Sequence, residues 1–167
     1  YSMDGLEGMS EEEQREQVLT VITEAFKLCD EYEGILSNMR KGTDIYKINN
    51  AAGQPVAVSD TAIEVIKKGI DYGQLSEGRF DITIGGVSKL WDFHQVDENG
   101  EKTGAVPDTE VLREAVSHVG YEQIVIEGNT VRLLDPQAQI DLGGIAKGYI
   151  ADKVAEYLES EGVTSAL

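Results

Sequence analysis

An α+β fold is predicted by three features of the sequence. Apolar residues recur at helical spacing over Val18–Tyr32 and again over Ala62–Ile70. Two short alternating stretches flank Glu127-Gly128-Asn129, as the arms of a hairpin would, and the pair Gly143-Gly144 separates an extended apolar segment from a third amphipathic stretch.

Each element follows in chain order. Ser10 and Glu13 form a capping box, so a helix starts there, with Val18, Val21, Ile22, Ala25, Leu28, Cys29 and Tyr32 on its apolar face; Ile35 and Leu36 extend it. The polar, glycine-containing stretch from Ser37 to Pro55 is predicted to be a loop with one irregular turn. Pro55 to Val58 is extended, and Ser59 or Asp60 caps a second helix that turns Ala62, Ile63, Ile66 and Ile70 inward. Gly78 ends that region, and the alternation of Phe80-Asp81-Ile82-Thr83-Ile84 predicts a short strand entering the Gly85-Gly86 turn. A polar surface excursion is expected from Gln95 to Pro107, and Asp108 begins a short helix. Tyr121–Ile126 and Thr130–Leu134 form the hairpin, Gln139–Leu142 a further strand, and the helix after Gly144 runs to Gly162. Val163–Leu167 and Tyr1–Met3 resemble strand remnants, so residues 1–167 are expected to be one α+β unit trimmed at both ends.

The bulk composition excludes several function classes. With 41% hydrophobic and 27% charged residues the chain has enough apolar surface to bury a core, unlike a disordered segment. Its net charge of −17 repels polyanions and no Lys/Arg run offsets it, so nucleic acid is not an expected partner. A small anion can still be held by a local Lys, backbone amides or a metal. Cys29 has no partner for an internal disulfide and, lying in an apolar stripe, is expected as a buried thiol rather than a nucleophile. No apolar stretch approaches the roughly 20 residues of a membrane span. The chain as written is therefore expected to be soluble, although processing or trimming would remove an export signal or lipid anchor.

Two segments have the residues for chemistry. In Asp141-Leu142-Gly143-Gly144-Ile145-Ala146-Lys147-Gly148, the glycines let backbone approach a ligand, helix-start amides face an anion and Lys147 adds charge. Asp141 suits hydrogen-bond donors, and a carbonyl freed at the turn suits a hard cation. The same pattern also fits a tight junction in which Asp141 accepts local amides and Lys147 is solvated. Gly78-Arg79-Phe80-Asp81 pairs a carboxylate with an aromatic surface for a planar ring, or else holds a core Phe beside an exposed Asp. Trp91 and Phe93 fit a core or a wall. His94 and His118 lack metal-ligand spacing and a nucleophile motif, which makes them ordinary surface or satisfied histidines.

The order of LSNMRKGTDIYKIN, SEGRFDITIGGVSKLWDF, VGYEQIVIEG and IDLGGIAKGYIAD resembles the ApbE family of FAD:protein FMN transferases, from the first helix onward. The resemblance implies an ApbE-like (T-fold-like) mixed sheet with packed helices, residues 1–167 being the amino-terminal part of a single flavin transferase domain. It implies Mg²⁺ at the pyrophosphate of FAD, transfer of FMN to a Thr or Ser of an acceptor flavoprotein, and release of AMP. It assigns Asp141 and Lys147 to FAD, the Gly144 carbonyl to Mg²⁺, and Arg79, Phe80 and Asp81 to an FAD-binding strip. Met39 stands where the family often has a Tyr against the flavin, so a thioether contact replaces stacking there. The family's Met within a Gly-Thr pair near the amino terminus has no counterpart. Members continue past the position of Leu167 into a section that supplies Asp and Thr side chains to the metal. Location on the outer side of the cytoplasmic membrane or in the periplasm, through a lipid anchor or other membrane tether, is also implied.

Three functions follow from this sequence. One is the transferase, with an acceptor hydroxyl attacking the FMN phosphorus; no catalytic base is identifiable. A second is a non-catalytic flavin-binding or partner-binding module of the same fold. The third, an Mg²⁺-dependent phosphohydrolase, is disfavoured by the lack of clustered Asp/Glu motifs.

Overall fold

The computed structural model describes residues 2–91, 98, 100 and 106–166. Phe93, His94 and most of the excursion expected at Gln95–Pro107 lie outside the described residues. The chain divides into two compact units, one formed by Tyr1–Gly34 with Ile145–Leu167 and the other by Ile35–Gly144.

The first unit is built on helix α1 (Glu11–Leu36), most of which belongs to it, and α6 (Ala146–Ser160). The capping box forms as expected: Ser10 N–H donates to the Glu13 carboxylate at 2.8 Å, and the Ser10 hydroxyl accepts from Glu13 N–H at 3.3 Å. Val18, Val21 and Ala25 are buried, but Ile22, expected on the same face, is exposed. Cys29 is half-buried rather than enclosed, because it sits at the shoulder of the buried stripe. Tyr32 meets Tyr149 of α6 edge-on, with ring centroids 5.6 Å apart, a favoured geometry for two aromatic quadrupoles. Strands β1 (Ser2–Met3) and β5 (Val163–Ser165) pair antiparallel, so the two expected terminal strands meet. Gly162 (φ 81°) makes the left-handed turn that ends α6 and passes the chain into β5.

In the second unit, α2 (Asp44–Asn49) occupies the stretch expected as a loop. Thr43 is the reason. Its hydroxyl caps the helix by accepting from Tyr46 N–H, and Ile45 and Ile48 are buried at 0% and 3% exposure, which anchors a helix too short to persist alone. Strands β2 (Val56–Ala57), β3 (Ile124–Glu127) and β4 (Thr130–Leu133) form an antiparallel sheet in the order β2-β4-β3. Residues Ile126 and Val131 pair across the hairpin, and Val131 also faces Val56 on the other edge.

Helix α3 (Asp60–Leu75) is capped by Ser59, whose hydroxyl accepts from Ala62 N–H at 3.2 Å. Its buried face includes Gly69 and Gly73, where an added Cβ would lie 2.7 Å from Ile82 and from the Tyr121 ring. Those glycines bring Ile82 and Tyr121 directly onto the helix. The short helix α4 (Gly85–Ser88) and α5 (Thr109–Ser117, capped by Asp108) complete the unit, with a 3-10 turn at Tyr121–Gln123 before β3.

Neither of the strands expected at Phe80–Ile84 and Gln139–Leu142 forms a ladder. The two segments meet in one parallel bridge, Ile84 to Gln139, outside any named strand. At the first, Asp81 takes its own neighbours' hydrogens, which turns the chain instead of extending it. The α+β class stands: among the described residues the strands form two small antiparallel sheets, with this isolated parallel bridge beside them.

Candidate functional site

The turn at Asp141–Gly144 is held from both edges of the segment that leads to it. On one edge Asp141 N–H donates to Ile82 C=O at 2.7 Å and Gly85 N–H donates to Gln139 C=O at 2.9 Å. At Gly85 a Cβ would lie 2.6 Å from that carbonyl oxygen, so only glycine allows the approach. On the other edge the Asn49 side chain accepts from Ile140 N–H at 2.7 Å and donates to Ile140 C=O at 2.8 Å. Ile140 and Leu142 point into the core at 0% and 2% exposure. Asp141 Oδ1 then accepts from Gly143 N–H at 2.8 Å, which sets the turn.

Phe80 approaches this turn closely enough that a Cβ on Gly144 would sit 3.0 Å from its ring. The ring also lies edge-on to Tyr72, with centroids 6.1 Å apart. Its backbone is fixed by Phe80 N–H donating to the Ser76 hydroxyl at 2.9 Å. Glu77 (φ 54°) and Gly78 (φ 78°) are both left-handed just before it. A non-glycine residue in that conformation is strained, and packing of the following Phe80 and Ile82 holds it there.

Asp81, expected in an FAD-binding strip, accepts hydrogen bonds from within the chain. Its Oδ1 accepts from Thr83 N–H at 2.8 Å and from the Thr83 hydroxyl at 2.6 Å, while Oδ2 accepts from Tyr121 N–H at 2.8 Å. The Thr83 oxygen in turn accepts from Gly120 N–H at 2.8 Å, and Thr83 is 1% exposed. This network ties the Phe80 turn to the start of the hairpin. Burial, then the nearby Glu122 and Asp81 carboxylates, push the Tyr121 phenol above its ordinary pKa.

The structure thus brings Phe80 and Ile82 against Asp141 and Gly144, with Asp81 bracing them from behind. Arg79 is exposed, and among the described residues its side chain makes no ion pair. Met39 is 79% exposed beside Ser37, and no described bond or ring contact ties it to Phe80 or Asp141. Lys147 is exposed in the first turn of α6, in the other compact unit.

For a divalent cation the turn offers oxygen donors of the right hardness, the Asp141 carboxylate and the Gly144 carbonyl. Among the described backbone hydrogen bonds, none is accepted by that carbonyl. Among the described residues no group of three or more His, Cys, Asp or Glu side chains is placed to hold a metal. The donor chemistry fits Mg²⁺, while the number of donors falls short of an octahedral shell.

Sequence reasoning missed Asn49, Thr83 and the partner of His118. His118 Nδ1 lies 2.6 Å from Asp135 Oδ2, and its Nε2 is 3.4 Å from Glu114 Oε1. The Asp135 hydrogen bond raises the histidine pKa against the opposing effect of burial, and His118 holds Asp135 below the usual carboxylate range. The ring is satisfied on one side, as expected, but its Nε2 is buried without a hydrogen bond. No local pattern signals the Asn49–Ile140 or the His118–Asp135 pair. The one trace of Asn49 is its position at the end of a helix that the polar stretch concealed.

The chain is similar to known proteins in both sequence and fold. The sequence model described as the ApbE family matches residues 8–167. The FAD:protein FMN transferase of Vibrio cholerae is 34% identical over 145 residues, covering 86% of this chain and 42% of the relative. That of Treponema pallidum is 30% identical over 159 residues, covering 90% and 42%. Among solved structures, the flavin transferase ApbE from Vibrio cholerae superposes with a TM-score of 0.75 at 32% identity, over 93% of this chain and 47% of that one. The ApbE protein of Thermotoga maritima gives a TM-score of 0.74 at 27% identity, over 84% and 45%. The chain spans under half the length of these relatives. It belongs to the ApbE family.

Proposed function

We propose that the protein containing this chain is an FAD:protein FMN transferase, and that residues 1–167 are the amino-terminal part of its single catalytic domain. The observation that carries the reading is the contact between Phe80–Ile82 and Asp141–Gly144, made by the Asp141 to Ile82 hydrogen bond of 2.7 Å and the Phe80 ring on Gly144. An aromatic surface and a carboxylate at one turn, beside a carbonyl that accepts none of the described backbone hydrogen bonds, support this reading.

In this reading Asp141 and Arg79 orient FAD, the carboxylate toward hydrogen-bond donors and the guanidinium toward phosphate oxygens. Phe80, whose ring lies edge-on to Tyr72, sits beside the ligand. Met39, 79% exposed, is available to the flavin as a thioether. Lys147 carries its assignment to FAD from the family motif alone. The Gly144 carbonyl, with donors from the rest of the full-length protein, would hold Mg²⁺, which would supply charge neutralisation at the pyrophosphate. An acceptor Thr or Ser oxygen forms a bond to the FMN phosphorus, the bond from that phosphorus to the bridging oxygen breaks, and AMP leaves with that oxygen; the hydroxyl proton goes to a base outside the residues assigned here. Attachment to the outer face of a membrane through a lipid anchor is part of the same proposal, by family resemblance. Among the described residues no helix is long and apolar enough to cross a membrane.

The test incubates the full-length protein with FAD, Mg²⁺ and a Thr-containing acceptor. An acceptor mass gain of one FMN group with stoichiometric AMP is the expected result, and an unmodified acceptor rejects the transferase. A non-catalytic flavin-binding module is the second reading, favoured by the absence of a three-residue ligand cluster among the described residues. Under that reading FAD binds with the same affinity with and without Mg²⁺.

A further inference from the structure

We infer that Asn49 is a positioning residue for the Asp141–Gly144 turn, acting as a one-residue substitute for a neighbouring strand. The inference rests on the flavin transferase reading above.

An extended segment turns its backbone groups alternately to its two edges. Gln139 C=O and Asp141 N–H face the Ile82–Gly85 segment, where both are paired. Ile140 N–H and C=O face the opposite edge, where another strand would ordinarily lie. The Asn49 amide stands there instead, offering one donor and one acceptor with the geometry of a peptide group, at 2.8 and 2.7 Å.

Asn49 is itself held in place. It is the last residue of α2, which is pinned by the buried Ile45 and Ile48 and by the Thr43 cap. At the start of that helix Asp44 accepts from Ser59 N–H at 2.8 Å and pairs with Lys47 at 3.1 Å. Burial disfavours the Asp44 anion, but the Ser59 bonds and Lys47 outweigh it and keep its carboxyl below the usual range. The amide therefore arrives at Ile140 already oriented.

A single side chain has a consequence that a strand would not. A strand would continue the ladder to Leu142 and beyond and would draw the turn's backbone groups into pairing. Asn49 closes the ladder at Ile140 and leaves the Gly144 carbonyl outside the described backbone hydrogen bonds. The turn is rigid up to Asp141 and free to meet a cation just after it.

The experiment compares the full-length wild type with Asn49→Asp, which keeps the acceptor and sets an oxygen against Ile140 C=O. Asn49→Gln, with the same amide displaced by one carbon, serves as second variant in case the first does not fold. FAD titrations with and without Mg²⁺ are normalised to folded protein and run beside amide hydrogen exchange. Outer-shell partners of a metal typically change affinity by about tenfold or more, so the Mg²⁺-dependent gain in FAD affinity should fall by about that factor while Mg²⁺-independent affinity stays put. Exchange should quicken at residues 139–144 and not in β3 or β4. A residue that served folding alone would lower Tm and leave the Mg²⁺-dependent gain intact, and that result, or unchanged exchange at the turn, overturns the inference. Wild type that binds no FAD in Mg²⁺ rejects the transferase reading itself, whereas wild type and variants that bind equally reject only the role of Asn49.

Discussion

Replacing Asp81 by Ala separates a scaffold role from a ligand role for this carboxylate. The side chain accepts from Thr83 N–H, the Thr83 hydroxyl and Tyr121 N–H, at 2.8, 2.6 and 2.8 Å. Thr83 is 1% exposed, so its N–H has no water to turn to, whereas Tyr121 is half-buried and recovers part of its solvation. A buried donor left without a partner costs roughly 1–3 kcal/mol, and bonds to a charged acceptor lie at the upper end of that range. Two backbone donors, one partly rescued, give an expected loss of about 2–4 kcal/mol. With an m-value of about 2 kcal/mol/M in urea, the midpoint falls by about 1–2 M with m unchanged. Urea unfolding followed by circular dichroism measures the shift, and FAD titration of the still-folded variant measures the ligand role. A midpoint change equivalent to less than about 0.5 kcal/mol, the range of an ordinary surface substitution, combined with abolished FAD binding would refute the bracing role and return Asp81 to the ligand.

Two further predictions concern packing and pH. Gly73→Ala gains up to about 1 kcal/mol of helix propensity but forces a Cβ to within 2.7 Å of the Tyr121 ring. Overpacking of that kind costs about 1–3 kcal/mol, so a net loss near 1 kcal/mol is expected in chemical denaturation, whereas Gly34→Ala, with nothing within 4 Å, should be neutral or stabilising. The His118–Asp135 pair predicts a bell-shaped dependence of the stability difference between wild type and His118→Gln. The raised histidine pKa contributes stability that is fully present below the ordinary value of 6.5 and is lost as pH rises through the folded value. The lowered Asp135 pKa contributes stability present above the ordinary 3.8 and lost as pH falls through its folded value. Tm measured across pH should therefore show the largest difference between about pH 4 and 6.5, and a pH-independent difference would exclude the ion pair.

What the sequence determined by itself was local. The capping box at Ser10, the Ser59 and Asp108 caps, the hairpin across Gly128 and the stop at Gly162 all appear where expected, because each depends on residues within a turn or two of one another. The motifs around Phe80 and Gly144 were also legible, through family resemblance. Tertiary structure alone decided how they meet. Asn49 reaches Ile140 across 91 residues, and Asp81 reaches Tyr121 across 40. The two expected strands show why such pairs stay hidden. Alternation records which side of a segment is buried, and Ile82, Ile140 and Leu142 are indeed buried. A ladder further requires that the backbone groups on each edge find a partner strand, and that partner is supplied by chain far away in sequence. Here it came instead as a side-chain amide and a single bridge, and Gly143 and Gly144 just beyond them are exposed.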